Sequence, residues 1–183
     1  YGAGTSVFED CDIVARYTEY KSDGCYTAGR TYASTPYGYV FNNCRFLAEE
    51  GVADGVYRMA RPWGADDSTT FMNCYLGRAI SLETSYGDMS GNLAENARFA
   101  EYGSYGPGYT VNNKRPYLTS AQAAKFKTDT VMGDYDYSAR TATLYGTQQE
   151  KPKTDITVVD KAEVVKNGAV DENAVIKNAA GET

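Results

Sequence analysis

A short phrase that occurs three times constrains this chain more than any other feature of its sequence. The phrase is Phe, any residue, Asn or Asp, Cys, any residue and then an apolar residue, and it occupies residues 8–13, 41–46 and 71–76. Its cysteines lie 33 residues apart (11 to 44) and then 30 residues apart (44 to 74). Self-similarity at such a period predicts a solenoid or another stacked repeat, in which each repeat packs on its neighbours.

The phrase also predicts the local geometry of each repeat. Asn and Asp tolerate the left-handed backbone region, so we expect Asp10, Asn43 and Asn73 to form sharp bends between two short strands. After each bend, the Cys and the residue two positions later point to the same, inward face. Stacking would place Phe over Phe and Cys over Cys. Because buried Cys behaves as a small apolar residue, we predict free thiols rather than disulfides. Cys25 lies outside the phrase, and the sequence leaves its state open.

The remaining sequence divides into two regions. Residues 1–147 contain short segments rich in β-forming residues, separated by turns of Gly, Asp and Ser. One helical pattern lies near residues 119–127, where Thr119 is a suitable N-cap, and we predict a short helix capping the open end of the solenoid. Residues 148–183 have no aromatic residue, and we interpret them as a polar tail or linker. Its candidate short strands are residues 156–158 and Val164-Val165.

Composition excludes several classes of function. The net charge is −6 without a Lys/Arg cluster, which argues against nucleic-acid binding, and no apolar run approaches the ~18 residues that span a bilayer. The chain has no His, which removes Ser-His-Asp and Cys-His catalysis and most catalytic zinc sites. Asp66 and Asp67 supply too few oxygens for calcium and are predicted to form a turn. We therefore expect no metal site and no cofactor.

Residues 60–64, Ala-Arg-Pro-Trp-Gly, resemble a segment of bacterial pectinesterases when the repeat phrase surrounds them. Further matches follow in the order of that family at residues 89–92, 99–108 and 118–124 with Gly133-Asp134, so the resemblance covers roughly residues 1–140. It implies an all-β protein, a right-handed parallel β-helix with a short C-terminal helix. It also implies a carbohydrate esterase that hydrolyses methyl esters of polygalacturonate in plant cell-wall pectin.

The resemblance assigns residues of this chain to both sides of a catalytic cleft. In the family, one Asp attacks the ester carbonyl, a second Asp acts as general acid and base, and a Gln helps to hold the oxyanion. Arg61 matches the Arg that hydrogen-bonds the nucleophilic Asp and keeps it ionised. Trp63 matches the aromatic residue that supports a sugar ring, Met89 matches the apolar residue opposite, and Tyr1 matches a residue that lines the cleft.

The departures from the family pattern concern the catalytic acids. The nucleophilic Asp of the family would lie three residues before Tyr1, and the second Asp and the Gln would lie further upstream. We therefore expect this chain to be a fragment that is inactive alone. In addition, Ala60 replaces the usual Gly before Arg61, and Tyr86 stands where a Trp is common. By contrast, Arg16 and Glu101 are interpreted as structural residues that bridge coils.

Two functional classes remain open at this point. The first is a fragment of a pectin methylesterase, and the second is a non-catalytic β-solenoid that binds polysaccharide or a partner protein. An Asp-Phe-Ile sequence directly before Tyr1 would favour the first. A pectate lyase is disfavoured because no calcium-binding carboxylate cluster stands out. The first expected partner is pectin. At the open end of the solenoid, we expect either an N-terminal half of the protein or a second copy of this chain. The resemblance implies a secreted protein, extracellular or periplasmic.

Overall fold

The computed structural model describes residues 2–135, 164–166 and 169–171 of the chain. Short strands dominate this part, because the alternating apolar and polar segments are broken by turns every few residues. The strands are β1 Ser6–Glu9, β2 Asp12–Ala15, β3 Gly24–Thr27, β4 Tyr39–Asn42, β5 Arg45–Ala48, β6 Tyr57–Ala60, β7 Ser68–Met72, β8 Tyr75–Leu76, β9 Arg98–Tyr102, β10 Val164–Lys166 and β11 Ala169–Asp171. The helices are α1 Ser120–Ala123 and α2 Thr128–Met132, with 3₁₀ turns at Ala94–Asn96 and Ala124–Phe126.

The strands of residues 2–135 stack into three parallel sheets, which confirms the predicted parallel β-helix. The first sheet has the order β1-β4-β7-β9, the second β2-β5-β8 and the third β3-β6. Each successive coil contributes one strand to each sheet. In the third coil, parallel bridges at Ile80 and Tyr86 continue the last sheet in place of a full strand. The outcome is a solenoid of about three turns.

The three predicted bends lie where the phrase places them. Asp10, Asn43 and Asn73 have φ angles of 53°, 52° and 53°, in the left-handed region. The side-chain amide of Asn43 donates a hydrogen bond of 2.5 Å to the carboxylate of Asp10, one coil below. The prediction from the repeat phrase is therefore confirmed.

A fourth coil was not predicted by the phrase, because its residue types differ. In β9, Glu101 pairs in register with Phe71 of β7, so Glu stands at the Phe position of the phrase. Gly103 takes the bend position with a φ of 65°, and Ser104 follows in place of Cys. Gly103 lies 30 residues after Asn73, so the period continues although the composition of the phrase changes.

An aromatic ladder fills the centre of the solenoid. The ring of Phe8 stacks on Phe41 at 4.7 Å between centroids, and Phe41 stacks on Phe71 at 5.4 Å. Phe46 packs edge-on against two of these rings from the second sheet. Burial of these apolar side chains stabilises the fold by about 25 cal/mol for each Å² of apolar surface removed from water.

The cysteines of the phrase form the predicted column of thiols. Cys44 and Cys74 are fully buried, Cys11 is half-buried at the edge of the first coil, and all three are free. Burial raises the pKa of the Cys44 thiol to about 11 and that of the Cys74 thiol to about 12. The prediction of free thiols is confirmed. Cys25, whose state the sequence left open, is also free.

The helix predicted near residues 119–127 is present as α1 and the 3₁₀ turn that follows it. Thr119 caps it in a capping box with Gln122, as the residue type indicates. The predicted capping of the open end by this helix stays a prediction. Thr128, at the start of α2, accepts a hydrogen bond from Asn42 and donates one to Glu9, on the outer face of the first sheet. The helical segment therefore lies along the side of the solenoid, because polar side chains at the strand ends fix it there.

The structure describes only part of the predicted tail. Val164 and Val165 lie in β10, which pairs antiparallel with β11. Most of residues 148–183 lie outside the described residues, so their interpretation as a tail or linker stays a prediction. Within the described part of the chain, no helix is long and apolar enough to cross a bilayer.

Candidate functional site

The predicted site residues lie on three adjacent segments that continue the third sheet. The middle segment carries Arg61 and Trp63 directly after β6. It is fixed from below by hydrogen bonds from Arg61 N to Thr27 O and from Gly64 N to Gly29 O, both 3.1 Å. From above, Gly87 N donates to Ala60 O at 3.1 Å. Consecutive coils therefore bring side chains far apart in sequence to one surface.

The methylene groups of Arg61 are packed against the neighbouring coil, and part of its guanidinium has no hydrogen-bond partner among the described residues. Its side chain is half-buried, and Nε is buried without a hydrogen-bond partner among the described residues. The stem passes Gly87, where an added Cβ would lie 3.5 Å from Arg61 Cγ and only 2.3 Å from Arg58 Cδ. Burying an N–H donor without a hydrogen-bond partner costs free energy. The Nε position therefore favours an acceptor supplied from outside the described residues.

Trp63 is half-buried and lies beside a pocket of about 450 Å³. The guanidinium carbon of Arg30, on the coil below, lies 5.2 Å from the centroid of the Trp63 ring. A cation at that distance from an indole face is attracted by the ring quadrupole. Trp63 therefore lies at the surface of the solenoid, and it is not part of the aromatic ladder of the core.

Met89 begins a tight turn that is tied to the Arg61–Trp63 segment. Met89 and Asn92 exchange backbone hydrogen bonds of 3.0 and 2.9 Å, with Ser90 and Gly91 at φ angles of 55° and 82°. Both central residues have positive φ, which a tight hairpin turn of this kind requires. The side-chain amide of Asn92 donates to Pro62 O at 3.2 Å and to Trp63 O at 3.1 Å. The Met89 turn is thereby held next to Trp63.

The two departures near the site have structural consequences. Ala60 is fully buried in the main core cluster, where its methyl group adds apolar contact that Gly would lack. Tyr86 stacks on Phe99 at 5.0 Å and donates a hydrogen bond of 2.9 Å to Glu101. Burial, with the nearby Glu101 carboxylate, raises the pKa of Tyr86 well above its usual value. Neither residue faces the Trp63 pocket.

Arg16 and Glu101 are structural, as the sequence indicated. Arg16 forms an ion pair with Glu49 on the next coil. Glu101 is fully buried and accepts hydrogen bonds from Arg115 Nε at 2.8 Å and Nη2 at 2.7 Å. A bidentate pair of this kind satisfies a carboxylate that would be costly to bury alone.

Asp66 and Asp67 form the predicted turn, but Asp67 has a further role. Asp67 N donates to Gly64 O at 3.1 Å, which closes the turn. The Asp67 side chain is fully buried and accepts hydrogen bonds from Gly29 N at 3.2 Å and Thr31 Oγ1 at 3.3 Å. Burial raises the pKa of this carboxyl, and the hydrogen bonds oppose that rise. Across the described residues, no cluster of three or more Cys, Asp or Glu side chains could hold a metal ion.

The structure therefore brings Arg61, Trp63 and Met89 together, while Tyr1 lies outside the described residues. Sequence reasoning missed Arg30, Asp67 and the side chain of Asn92. The repeat period offered a signal for Arg30, which precedes Trp63 by 33 residues, the spacing from Cys11 to Cys44. Nothing in the sequence indicated that Asp67 would be buried, because adjacent acidic residues are usually exposed in turns.

Comparisons with known proteins identify the family of this chain. The sequence profile of the family described as Pectinesterase matches residues 1–134. The chain is 36% identical over 162 residues to Pectinesterase A of Dickeya dadantii, an alignment that covers 74% of this chain and 44% of that protein. A probable pectinesterase/pectinesterase inhibitor of Arabidopsis thaliana is 28% identical over 132 residues, covering 64% of this chain and 22% of that protein.

Solved structures show the same fold. Pectin methylesterase from Yersinia enterocolitica superposes with a TM-score of 0.65 and 27% identity, covering 73% of this chain and 49% of that one. A pectin methylesterase mutant in complex with a hexasaccharide gives a TM-score of 0.62 and 30% identity, over 73% of this chain and 46% of that one. The chain thus spans less than half the length of these relatives. From its repeat, its parallel β-helix and these matches, the chain belongs to the pectinesterase family.

Proposed function

We propose that this chain forms the later coils of a pectin methylesterase and supplies one wall of its catalytic cleft. The observation that carries the proposal is the juxtaposition of Arg61, with its buried and unpartnered Nε, and the surface platform of Trp63. The substrate class is the methyl ester of polygalacturonate. Membership in the pectinesterase family supports this assignment.

Arg61 acts on the nucleophile in this proposal. The family chemistry uses an Asp that attacks the ester carbonyl, expels methanol after a second Asp protonates the leaving oxygen, and forms an acyl-enzyme. Water activated by the second Asp then releases the free carboxylate of the sugar unit. A guanidinium next to the nucleophilic Asp stabilises its ionised form and so lowers its pKa. Arg61 would accordingly contribute in both steps without itself transferring a proton.

Trp63 and Met89 bind the substrate in this proposal. A sugar ring presents an apolar C–H face that packs against a flat aromatic ring. The turn from Met89 to Asn92 is fastened to Pro62 O and Trp63 O, so the apolar side chain of Met89 is held beside the platform. Tyr1 stays a prediction, as a third residue lining the cleft.

The catalytic acids are assigned to coils that precede this chain in the β-helix. Among the described residues, β1, β2 and β3 each pair on one edge only. Open strand edges and the half-buried ring of Phe8 favour coverage by another coil. We assign that role to an N-terminal half of the enzyme, and self-association through the same edge is the competing outcome. The resemblance supports a secreted or periplasmic location.

The test is methanol release from highly esterified pectin by residues 1–183. The chain alone is expected to release none above background. Mixed with the amino-terminal half of Pectinesterase A from Dickeya dadantii, it is expected to release methanol, and Arg61→Ala is expected to lower that rate at least ~100-fold. Arg45→Ala, which removes an Arg paired with Asp12 on the outer face, is the matched control.

A binding measurement separates the two functional classes. Trp63 is the only tryptophan of the chain, so its fluorescence reports directly on the cleft. Quenching or a shift on addition of methyl-esterified oligogalacturonate is expected. Binding without methanol release from the mixture, unchanged by Arg61→Ala, would favour the non-catalytic polysaccharide-binding solenoid. No binding at all would overturn both.

A further inference from the structure

The pocket beside Trp63 contains a cation that the resemblance to the family does not assign. The lining of the pocket includes Arg30, Thr31, Tyr32, Trp63, Asp66 and Asn92. Arg30 is exposed to solvent. Within residues 2–135 its guanidinium makes no hydrogen bond or ion pair, and its contact is with the face of Trp63.

The position of Arg30 is fixed by the backbone around it. Gly64 lies directly against it, because an added Cβ at Gly64 would be 2.7 Å from Arg30 Cγ and 3.1 Å from Arg30 Cα. The residues on either side of Arg30 are held by the buried carboxylate of Asp67, through Gly29 N and Thr31 Oγ1. At Gly29, an added Cβ would be 2.0 Å from Asp67 Oδ1, so this approach requires glycine.

Different residues of the pocket hold the backbone and face the solvent: Asp67 fixes the Gly29–Thr31 segment, and Arg30 is exposed. The side chain of Asp67 uses its oxygens on the Gly29–Thr31 backbone and hydroxyl, and leaves Arg30 unpaired above it. The guanidinium carbon lies 5.2 Å from the centroid of the Trp63 ring, and within residues 2–135 the side-chain N–H donors of Arg30 make no hydrogen bond. Arg30 therefore presents a preorganised fork of donors next to a sugar platform, and a fork of this kind matches the two oxygens of a carboxylate.

We propose that Arg30 binds the carboxylate of an unesterified uronic acid unit that lies next to Trp63. This inference rests on the proposed function, which supplies the class of ligand, and it adds a residue that discriminates between free and esterified units. A methyl ester carries no charge and loses one of the two equivalent oxygens, so it cannot form the bidentate ion pair. Asp66 is exposed in the same pocket and repels an anion, which confines the carboxylate to the Arg30 side.

The test compares two hexamers, fully unesterified and fully methyl-esterified hexagalacturonate, by Trp63 fluorescence and by calorimetry on residues 1–183. Arg30→Ala is expected to weaken binding of the unesterified hexamer about tenfold and that of the esterified hexamer less than about twofold. Arg30→Lys should retain part of the affinity, because it keeps the charge and loses the fork. Lys125→Ala, which removes an exposed cation on the helical segment, is the control and should change neither affinity.

The outcomes distinguish this inference from the function beneath it. Equal losses for the two hexamers, or no loss for either, would overturn the role of Arg30 and leave the pectin methylesterase assignment intact. Failure of the wild-type chain to bind either hexamer would overturn the proposed function and, with it, this inference. Because Arg30 is exposed, Arg30→Ala is expected to keep the wild-type unfolding temperature, and that measurement accompanies the titration.

Discussion

The carboxylate of Glu101 receives two hydrogen bonds from the guanidinium of Arg115 at the point where the aromatic ladder of the solenoid ends. Glu101 stands in register with Phe71, and both members of the ion pair are almost completely buried. Tyr86 donates a third hydrogen bond to the same carboxylate. The last coil therefore closes the core with a satisfied polar network instead of another stacked ring.

Removal of one partner from this pair is expected to be severe. Arg115→Leu leaves the Glu101 carboxylate buried without its cation, and the free energy of unfolding should fall by about 3–5 kcal/mol. Glu101→Phe combined with Arg115→Leu extends the aromatic ladder, so the double variant should recover most of that loss. Urea unfolding of the three proteins measures this. A double variant as unstable as Arg115→Leu would contradict the explanation.

The bend of the fourth coil predicts a position that is specific for glycine. Gly103 has a φ of 65°, and an added Cβ would lie 2.4 Å from Asn73 Oδ1. Gly55 has a similar φ of 69° with no atom within 4 Å of its Cβ position. Gly55→Ala should cost about 1–2 kcal/mol from backbone strain alone. Gly103→Ala should cost at least ~1 kcal/mol more, because Asn73 must move. Equal losses in the free energy of unfolding for the two variants, measured in urea, would show that the close approach of Asn73 to Gly103 adds no cost.

The buried thiols predict a loss of stability at alkaline pH. The ordinary pKa of these thiols is about 9, and in the folded chain it is about 11 for Cys44 and about 12 for Cys74. Between pH 9 and 11 the unfolded state loses protons that the folded state keeps, so the free energy of unfolding falls as pH rises. Each thiol contributes a slope of about 1.4 kcal/mol per pH unit.

The Cys44→Ala, Cys74→Ala double variant isolates this contribution. Its stability at pH 7 should be lower than that of the wild type, because two buried sulfurs are lost from the core. Its decline between pH 9 and 11 should nevertheless be shallower by up to ~2.7 kcal/mol per pH unit. Parallel pH profiles for the two proteins in chemical denaturation would refute the assignment.

The turn that holds Met89 beside Trp63 predicts a further effect on binding. Asn92→Asp keeps the shape of the side chain but removes the donor that bonds Pro62 O and Trp63 O. The loss of two hydrogen bonds should loosen the turn and weaken oligogalacturonate binding several-fold, as measured by Trp63 fluorescence. Asn112→Asp is the matched control, because Asn112 makes a similar bond to Leu82 O away from the cleft. Comparable affinity losses in the two variants would argue against a role for the turn.

The solenoid and the order of its first three coils are predictable from the amino-acid sequence. The Phe, Asn or Asp, and Cys phrase carries its own geometry, since Asn and Asp enter the left-handed region and the alternation of a strand sends Phe and Cys inward. The motifs that resemble a family also predict Arg61, Trp63 and Met89 as site residues, and that assignment stays a prediction. The repeat phrase does not identify the fourth coil, because Glu101, Gly103 and Ser104 occupy the positions of Phe, Asn or Asp, and Cys in the same backbone conformation.

The distant residues that share the surface around Trp63 are brought there by contacts between coils, which the sequence does not reveal. Arg30 lies over its ring because the coil below is in register, and Asp67 is buried because its oxygens bond the backbone of that same coil. Likewise, the residues after α1 lie along the side of the first sheet because Thr128 finds polar partners there. Local propensity specifies a bend or a helix start, whereas contacts between coils depend on a register that no single segment contains.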